Sequence, residues 1–203
     1  MDALLPALTG RRATRAFAAT PVNPGALDLL CRAVSIAPSH GNTQPTRILV
    51  PSTARQQQEL LDALSEGNRS WAGTAPLLFA LAAVPSHDRL AQDRDGTERE
   101  LWAFHAGIAL GNLLAQGTAM GLVVHPMAGF DEPSVRAVFS APGDVRIMTV
   151  IAAGYPGDPG SLPTDLQQRE AAPQERLPLE RLVVRGTWTG EHGESARSLR
   201  RKT

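Results

Sequence analysis

The chain has 203 residues, 42% of them hydrophobic, which is enough for one full core and ordinary for a globular protein. Its 20 Lys+Arg balance 20 Asp+Glu, with arginine supplying all but Lys202, so overall charge favours neither nucleic acid nor membrane as a partner. A lone cysteine, Cys31, excludes an intrachain disulfide, no apolar run reaches the roughly 18 residues of a membrane span, and the N-terminus has no charged-then-apolar leader; the expectation is a soluble, cytoplasmic protein.

In chain order, Met1 to Leu8 reads as a short helix stopped at Thr9-Gly10. Pro21-Val22-Asn23-Pro24 is a turn; Asn23 suits an N-cap and Pro24 the first helical position of a helix running to about Ala37, where Pro38 ends it. Cys31 falls in the apolar pattern of that helix and reads as a buried structural thiol. Arg47 to Val50 is a short strand. Ser52 to Glu66 reads as one helix with Leu60, Leu61 and Leu64 on a face, followed by a loop over 71–76. Leu77 to Val84 is a continuous apolar run, as in a buried strand. His87 to Gly96 is charged and without period, an exposed loop or short helix.

Glu98 to Met120 predicts a long helix apolar almost all round, hence buried on all sides. Gly107 and Gly111, in a row with Ala103 and Ala115, permit close backbone approach, either in a dimer or inside one subunit. Leu122 to His125 is a strand, Pro126 to Asp131 a loop, and Asp131 caps a helix through Phe139. Arg146 to Ala153 is the last clear core strand. The segment 157–178 reads as an extended surface excursion, and 179–183 as a short turn or strand. Alternating helices and strands give one α/β or α+β domain over 1–190, with 191–203 a disordered polar, basic tail.

Two stretches carry the chemistry. Arg11, Arg12 and Arg15 place three guanidiniums within five residues, and positions 11 and 15 can converge on one phosphate. Pro38-Ser39-His40-Gly41-Asn42-Thr43-Gln44-Pro45 crowds hydroxyls and amides into one loop between a helix and a strand, as the polar edge of a heterocycle requires. A solvated basic terminus and an ordinary turn are the plain alternatives. Pro126 to Asp131 lies between a strand and a helix, where backbone N–H groups can face a ligand and Gly129 allows close approach. Neither G-x-S-x-G, P-loop, CxxC, H-E-x-x-H nor G-x-G-x-x-G is present, and the histidines show no metal-ligand spacing.

In order and spacing, RRATRAF at 11–17, APSHGNTQP at 37–45, WAGTAPLLFAL at 71–81, GIALGNLLAQGTAMGL at 107–122, HPMAGFD at 125–131 and AAGYPGD at 152–158 resemble the FMN-dependent nitroreductase family over roughly residues 9–185. The resemblance implies an α+β nitroreductase-like fold: a central, mostly antiparallel sheet packed between helices, in an entwined homodimer with FMN at the interface. Arg11, Arg12, Ala13 and Arg15 would then hold the phosphate and ribityl end, with Arg15 near the pyrimidine edge. Pro38, Ser39, His40 and Asn42 would come from the partner subunit. Met127, Ala128 and Gly129 would line the ring, and Arg176 would reach the phosphate. No metal and no protein acid or base is implied. NADH or NADPH would deliver hydride to flavin N5, and an electron-poor acceptor (a nitroaromatic or quinone) would take its place in a ping-pong cycle.

The chain departs from the family pattern at Thr46, at His105, at Ala128 and in the short charged segment 86–99. Trp71 and Trp102 are candidates for the pocket wall or ordinary core and surface aromatics. Two other functions fit the same resemblance: an oxidase or dehydrogenase of a specialised metabolite, and a flavin-binding protein without nicotinamide turnover. A non-flavin structural protein is the plainest alternative.

Overall fold

The computed structural model describes residues 4–188. The chain divides after Glu170 into two compact units. The element order is α1 (Pro6–Thr9), α2 (Pro24–Ser35), β1 (Thr46–Leu49), α3 (Ala54–Asp62), α4 (Glu66–Ala72), β2 (Leu77–Ala83), β3 (Ala91–Gln92), β4 (Glu98–Arg99), α5 (Trp102–Ala119), β5 (Val123–Met127), α6 (Glu132–Val138), β6 (Arg146–Gly154) and α7 (Thr164–Ala171), of which all but Ala171 fall in the first unit. The second unit contains α8 (Leu179–Leu182). The tail expected over 191–203 lies outside the described residues.

β1, β2, β6 and β5 form one sheet in that order, every neighbour antiparallel. The apolar run of β2 is buried on both faces because helices cover both. Leu78, Ala80 and Ala82 face a cluster with Leu60, Trp71 and Val135 from α3, α4 and α6. Phe79 and Leu81 face Leu30, Val34, Ala109 and Leu113 from α2 and α5. This period-two division sorts one strand's side chains into two cores. The expected α+β fold with an antiparallel sheet between helices is the fold observed. No helix among the described residues is long and apolar enough to cross a membrane.

Local signals placed several boundaries well. The Asn23 side chain accepts from the Gly25 N–H at 2.9 Å and caps α2, with Pro24 at its first position. Asp131 caps α6 by accepting from the Ser134 N–H at 2.9 Å.

Seven expectations are corrected: 179–182 is helix α8 rather than a turn or strand, the long helix starts at Trp102 rather than Glu98, and five more differ as follows. The helix expected over 52–66 is two helices: Leu64 bridges Phe130 and the Ser65 N–H donates to the Gly129 carbonyl, which turns the chain before α4 begins. Trp71 belongs to α4 rather than a loop, and is buried at 2% exposure. The segment 87–96 enters a small hairpin, with Ala91 opposite Arg99 and Gln92 opposite Glu98. The excursion after Gly157 contains α7, anchored by buried Leu162 and Leu166. Lastly, α5 is not buried all round: His105, Ala106, Ala109, Leu113 and Gly117 face inward, while Ala103, Phe104, Gly107 and Gly111 are exposed. As an outer-layer helix it meets the sheet and α2 along one face only.

Candidate functional site

The basic segment is laid against the end of the sheet by backbone bonds. The Gly157 N–H donates to the Ala16 carbonyl and the Ala18 N–H to the Tyr155 carbonyl, each at 2.9 Å, and Phe17 bridges Pro156. A Cβ on Gly157 would lie 2.5 Å from the Phe17 carbonyl carbon, so this approach needs glycine. Phe17 then reaches Trp71, with ring centroids 6.3 Å apart.

The same segment gathers charge. Arg15 donates from its guanidinium (2.9 Å) and its amide (3.1 Å) to one oxygen of Glu170, whose side chain is 4% exposed. The other Glu170 oxygen and the Thr14 hydroxyl are buried without a hydrogen-bond partner. The Arg15 guanidinium also lies 5.9 Å from the Trp71 ring centroid. Arg11 and Arg12 meet no carboxylate among the described residues. Arg12 lines a hollow of about 280 Å³ with Thr14, Thr118 and Gly121.

His125, on β5, completes the cluster. Its ring is 4.6 Å from that of Trp71, and its Nδ1 donates to the Thr14 carbonyl at 2.9 Å. Burial pushes its pKa down, opposed by that hydrogen bond; the Arg15 and Arg11 charges push it down further. The unfolded chain therefore binds the additional proton more readily. Stability should fall as pH drops through the ordinary imidazole range, about 6.5, towards the lower folded value. Denaturant unfolding at pH 7.5 and 5.5 checks this. His125→Gln should lose less stability over that interval than the unsubstituted protein, and an equal loss would remove His125 as the cause.

At the end of β5, Ser65 N–H (2.9 Å) and Asn68 Nδ2 (3.0 Å) both donate to the Gly129 carbonyl. A Cβ at 129 would meet Ser65 Oγ at 2.5 Å and Asn68 Nδ2 at 2.8 Å. Met127 turns its side chain into the core, while Ala128 is exposed. The structure thus brings Arg11, Arg15, His125, Trp71 and Glu170 into one neighbourhood. Ser65, Asn68 and Gly129 form a cradle where β5 ends.

Pro38, Ser39, His40 and Asn42 sit elsewhere, in the loop before β1. The sheet order places β2 and β6 between β1 and β5. At about 4.8 Å per strand, the edge strands are some 14 Å apart, so within one chain the loop and the Gly129 turn do not meet. Ser39 Oγ accepts from the Gln44 N–H at 2.9 Å, and the His40 N–H donates to His105 Nε2 at 3.0 Å. Behind the loop lies a cavity of about 410 Å³ lined by Cys31, Val34, Ala37, Ser39, Pro45 and His105. Burial, then the Asp28 charge, pushes the Cys31 thiol up, in keeping with a structural rather than a nucleophilic cysteine. Arg176 belongs to the second unit, where its guanidinium donates to the Glu175 carbonyl at 2.8 Å and to the Gln174 side chain at 3.0 Å.

Residues 8–70 and 54–155 match the model of the nitroreductase family. The chain belongs to the nitroreductase family. Its relatives include an NADH dehydrogenase of Thermus thermophilus, 33% identical over 91% of this chain and 99% of the relative. A putative NADH dehydrogenase/NAD(P)H nitroreductase of Streptomyces coelicolor is 31% identical over 74% of this chain and 82% of its own. The crystal structure of an FMN-containing oxidoreductase superposes with a TM-score of 0.80 at 26% identity, over 93% of this chain and 94% of that one.

Against this nitroreductase background, Ser65, Asn68, Asp88, His105, His125 and Glu170 are contacts that sequence reasoning did not assign to the candidate site, whereas Trp71 was a candidate for its wall. A signal existed for two of them. His105 interrupts an otherwise apolar helix face, and His125 an apolar strand.

Proposed function

We propose that this nitroreductase-family chain is an FMN-dependent oxidoreductase that draws electrons from NADH or NADPH and passes them to an electron-poor acceptor, a nitroaromatic or quinone, by alternate use of one open site. The observation that carries the reading is the division of labour among the N-terminal arginines. Arg15 is held by Glu170, whereas Arg11 and Arg12 keep their charge uncompensated by any described carboxylate.

The residues present fit FMN. Arg11 and Arg12 would hold its phosphate through charge-assisted bonds, and Ala13 would lie beside the ribityl chain. Arg15, rigid on Glu170, would set positive charge near the ring's pyrimidine edge. Ala128 and Gly129 would offer backbone N–H groups, with Gly129 steadied by Ser65 and Asn68. FMN, when bound, supplies hydride acceptance and donation between nicotinamide and acceptor. The chain's own residues bind and orient the two reactants. A cytoplasmic setting goes with the use of reduced nicotinamides.

The loop carrying Pro38, Ser39, His40 and Asn42 would reach the same FMN from a second copy of the chain. Two features support a dimer: the loop and the Gly129 turn lie at opposite edges of the sheet, and α5 presents an open row. A Cβ at Gly107 or Gly111 would meet nothing within 4 Å.

The test is an absorbance spectrum of protein reconstituted with FMN, before and after anaerobic NADH or NADPH. A bound flavin that bleaches supports the reading; one that stays oxidised turns it towards an oxidase of another metabolite. Arg11→Ala should weaken FMN binding roughly ten- to hundred-fold, the loss of about 1.5–3 kcal/mol in a charged hydrogen bond. Unchanged affinity would remove Arg11 from the phosphate site.

A further inference from the structure

The loop at 39–44 has an uncommon backbone. Gly41, Asn42 and Gln44 have φ of 59°, 56° and 48°. Left-handed residues other than glycine are costly and persist where the surroundings over-determine them. Much of that determination comes from a buried pair outside the loop. His105 Nδ1 lies 2.9 Å from Asp88 Oδ2, with side-chain exposures of 4% and 3%. His105 Nε2 accepts from the His40 N–H at 3.0 Å. Asp88 Oδ1 accepts from the Thr43 hydroxyl at 2.6 Å and from the Arg89 N–H at 2.9 Å.

An Nε2 that accepts fixes the tautomer: the ring proton is on Nδ1, directed at the carboxylate. The pair therefore grips the loop twice, at His40 through the imidazole and at Thr43 through the carboxylate. A burial role alone does not call for it. Ala106, Ala109 and Leu113 are the neighbouring inward residues of α5, and an apolar side chain at 105 would avoid the cost of burying polar groups. Instead both ring nitrogens and both carboxylate oxygens are engaged.

We propose that His105, held in its Nδ1–H tautomer by Asp88, is a positioning residue that sets the 39–44 loop for flavin through the His40 amide. The proposal rests on the reading of that loop as part of the FMN site. His105 touches no reactant; it acts through His40 and preorganises the loop's polar groups before a ligand arrives.

Two substitutions separate the two ring nitrogens. His105→Gln places an amide oxygen near the position of Nε2, where it can still accept from His40. His105→Asn keeps polar atoms only near Nδ1. In fluorescence titrations with FMN, His105→Asn should raise the dissociation constant about ten-fold, and His105→Gln should stay within about three-fold of the unsubstituted protein. An unchanged His105→Asn, or equal loss in both variants, overturns the proposal. Long-range ¹⁵N–¹H ring spectra of the unsubstituted protein need no variant to fold: His105 should carry its proton on Nδ1, and a proton on Nε2 overturns the proposal. Should the unsubstituted protein bind no FMN, the flavin reading fails on its own, and the positioning role is read from exchange of the His40 amide. That amide should be protected in the unsubstituted protein and His105→Gln and fast in His105→Asn; equal rates in all three overturn the proposal.

Discussion

Replacing Glu170 by alanine should destabilise the protein by about 3 kcal/mol, because it strands a guanidinium and an amide that share one buried oxygen. The carboxylate is almost wholly buried, but the Arg15 side chain is 23% exposed, and that access to water keeps the loss at the lower end of the range for breaking buried pairs. The second Glu170 oxygen has no partner, so the native pair is itself imperfectly compensated. A double replacement, Arg15→Met with Glu170→Leu, should therefore recover the share of the loss owed to the guanidinium, as apolar substitutes for buried pairs do, but not the share owed to the residue-15 amide, which still lacks its acceptor. Urea unfolding of both variants checks the argument. A loss under about 1 kcal/mol in Glu170→Ala would mean that the pair behaves as a solvated surface bridge.

Trp71→Ala should cost about 3–5 kcal/mol, as truncations of buried aromatic side chains do. The indole is 2% exposed and lies among Phe17, His125 and Arg15, so it supports the basic segment and β5 together. At some 2–4 °C per kcal/mol for a chain of this size, the melting temperature should fall by on the order of 10 °C. Trp71→Phe keeps a ring in the same space and should lose less than half as much. Equal losses would show that a phenyl ring restores nothing there and that filling the space is not what the indole contributes. Because the indole backs the segment carrying Arg11, FMN retention should decline with stability in Trp71→Ala.

Much of the fold was legible because its signals are local. The Asn23-Pro24 pair, the Asp131 cap and the apolar runs of β2 and β6 each act within a few residues. The break between α3 and α4 was not legible: it is made by Leu64 pairing with Phe130 and by Ser65 bonding to Gly129, partners far away in sequence. α7 was missed because Leu162 and Leu166 are too sparse among polar residues to set a period. The β3–β4 hairpin had a signal in Asp95-Gly96, a favoured turn pair, but its strands are only two residues each.

The candidate site divides the same way. The arginine cluster, the Ser39–Gln44 loop and Gly129 stand out as short motifs. Their supports do not, because Arg15 and Glu170 are 155 residues apart, Thr14 and His125 111, and His40 and His105 65. A motif shows which groups are offered, and only the fold shows which of them are already engaged. Arg15 illustrates this: as sequence it is one of three equivalent guanidiniums, and in the structure it is the one tied to a carboxylate.

The 155-residue span between Arg15 and Glu170 also has a meaning in time. At about 5–20 residues per second of synthesis, roughly 8 to 30 s separate the emergence of the two. For most of that interval the arginine-rich segment has neither its carboxylate nor the Tyr155–Gly157 backbone that later holds it. The basic segment is thus made well before the groups that fix it, and its docking awaits the synthesis of residues 155–170.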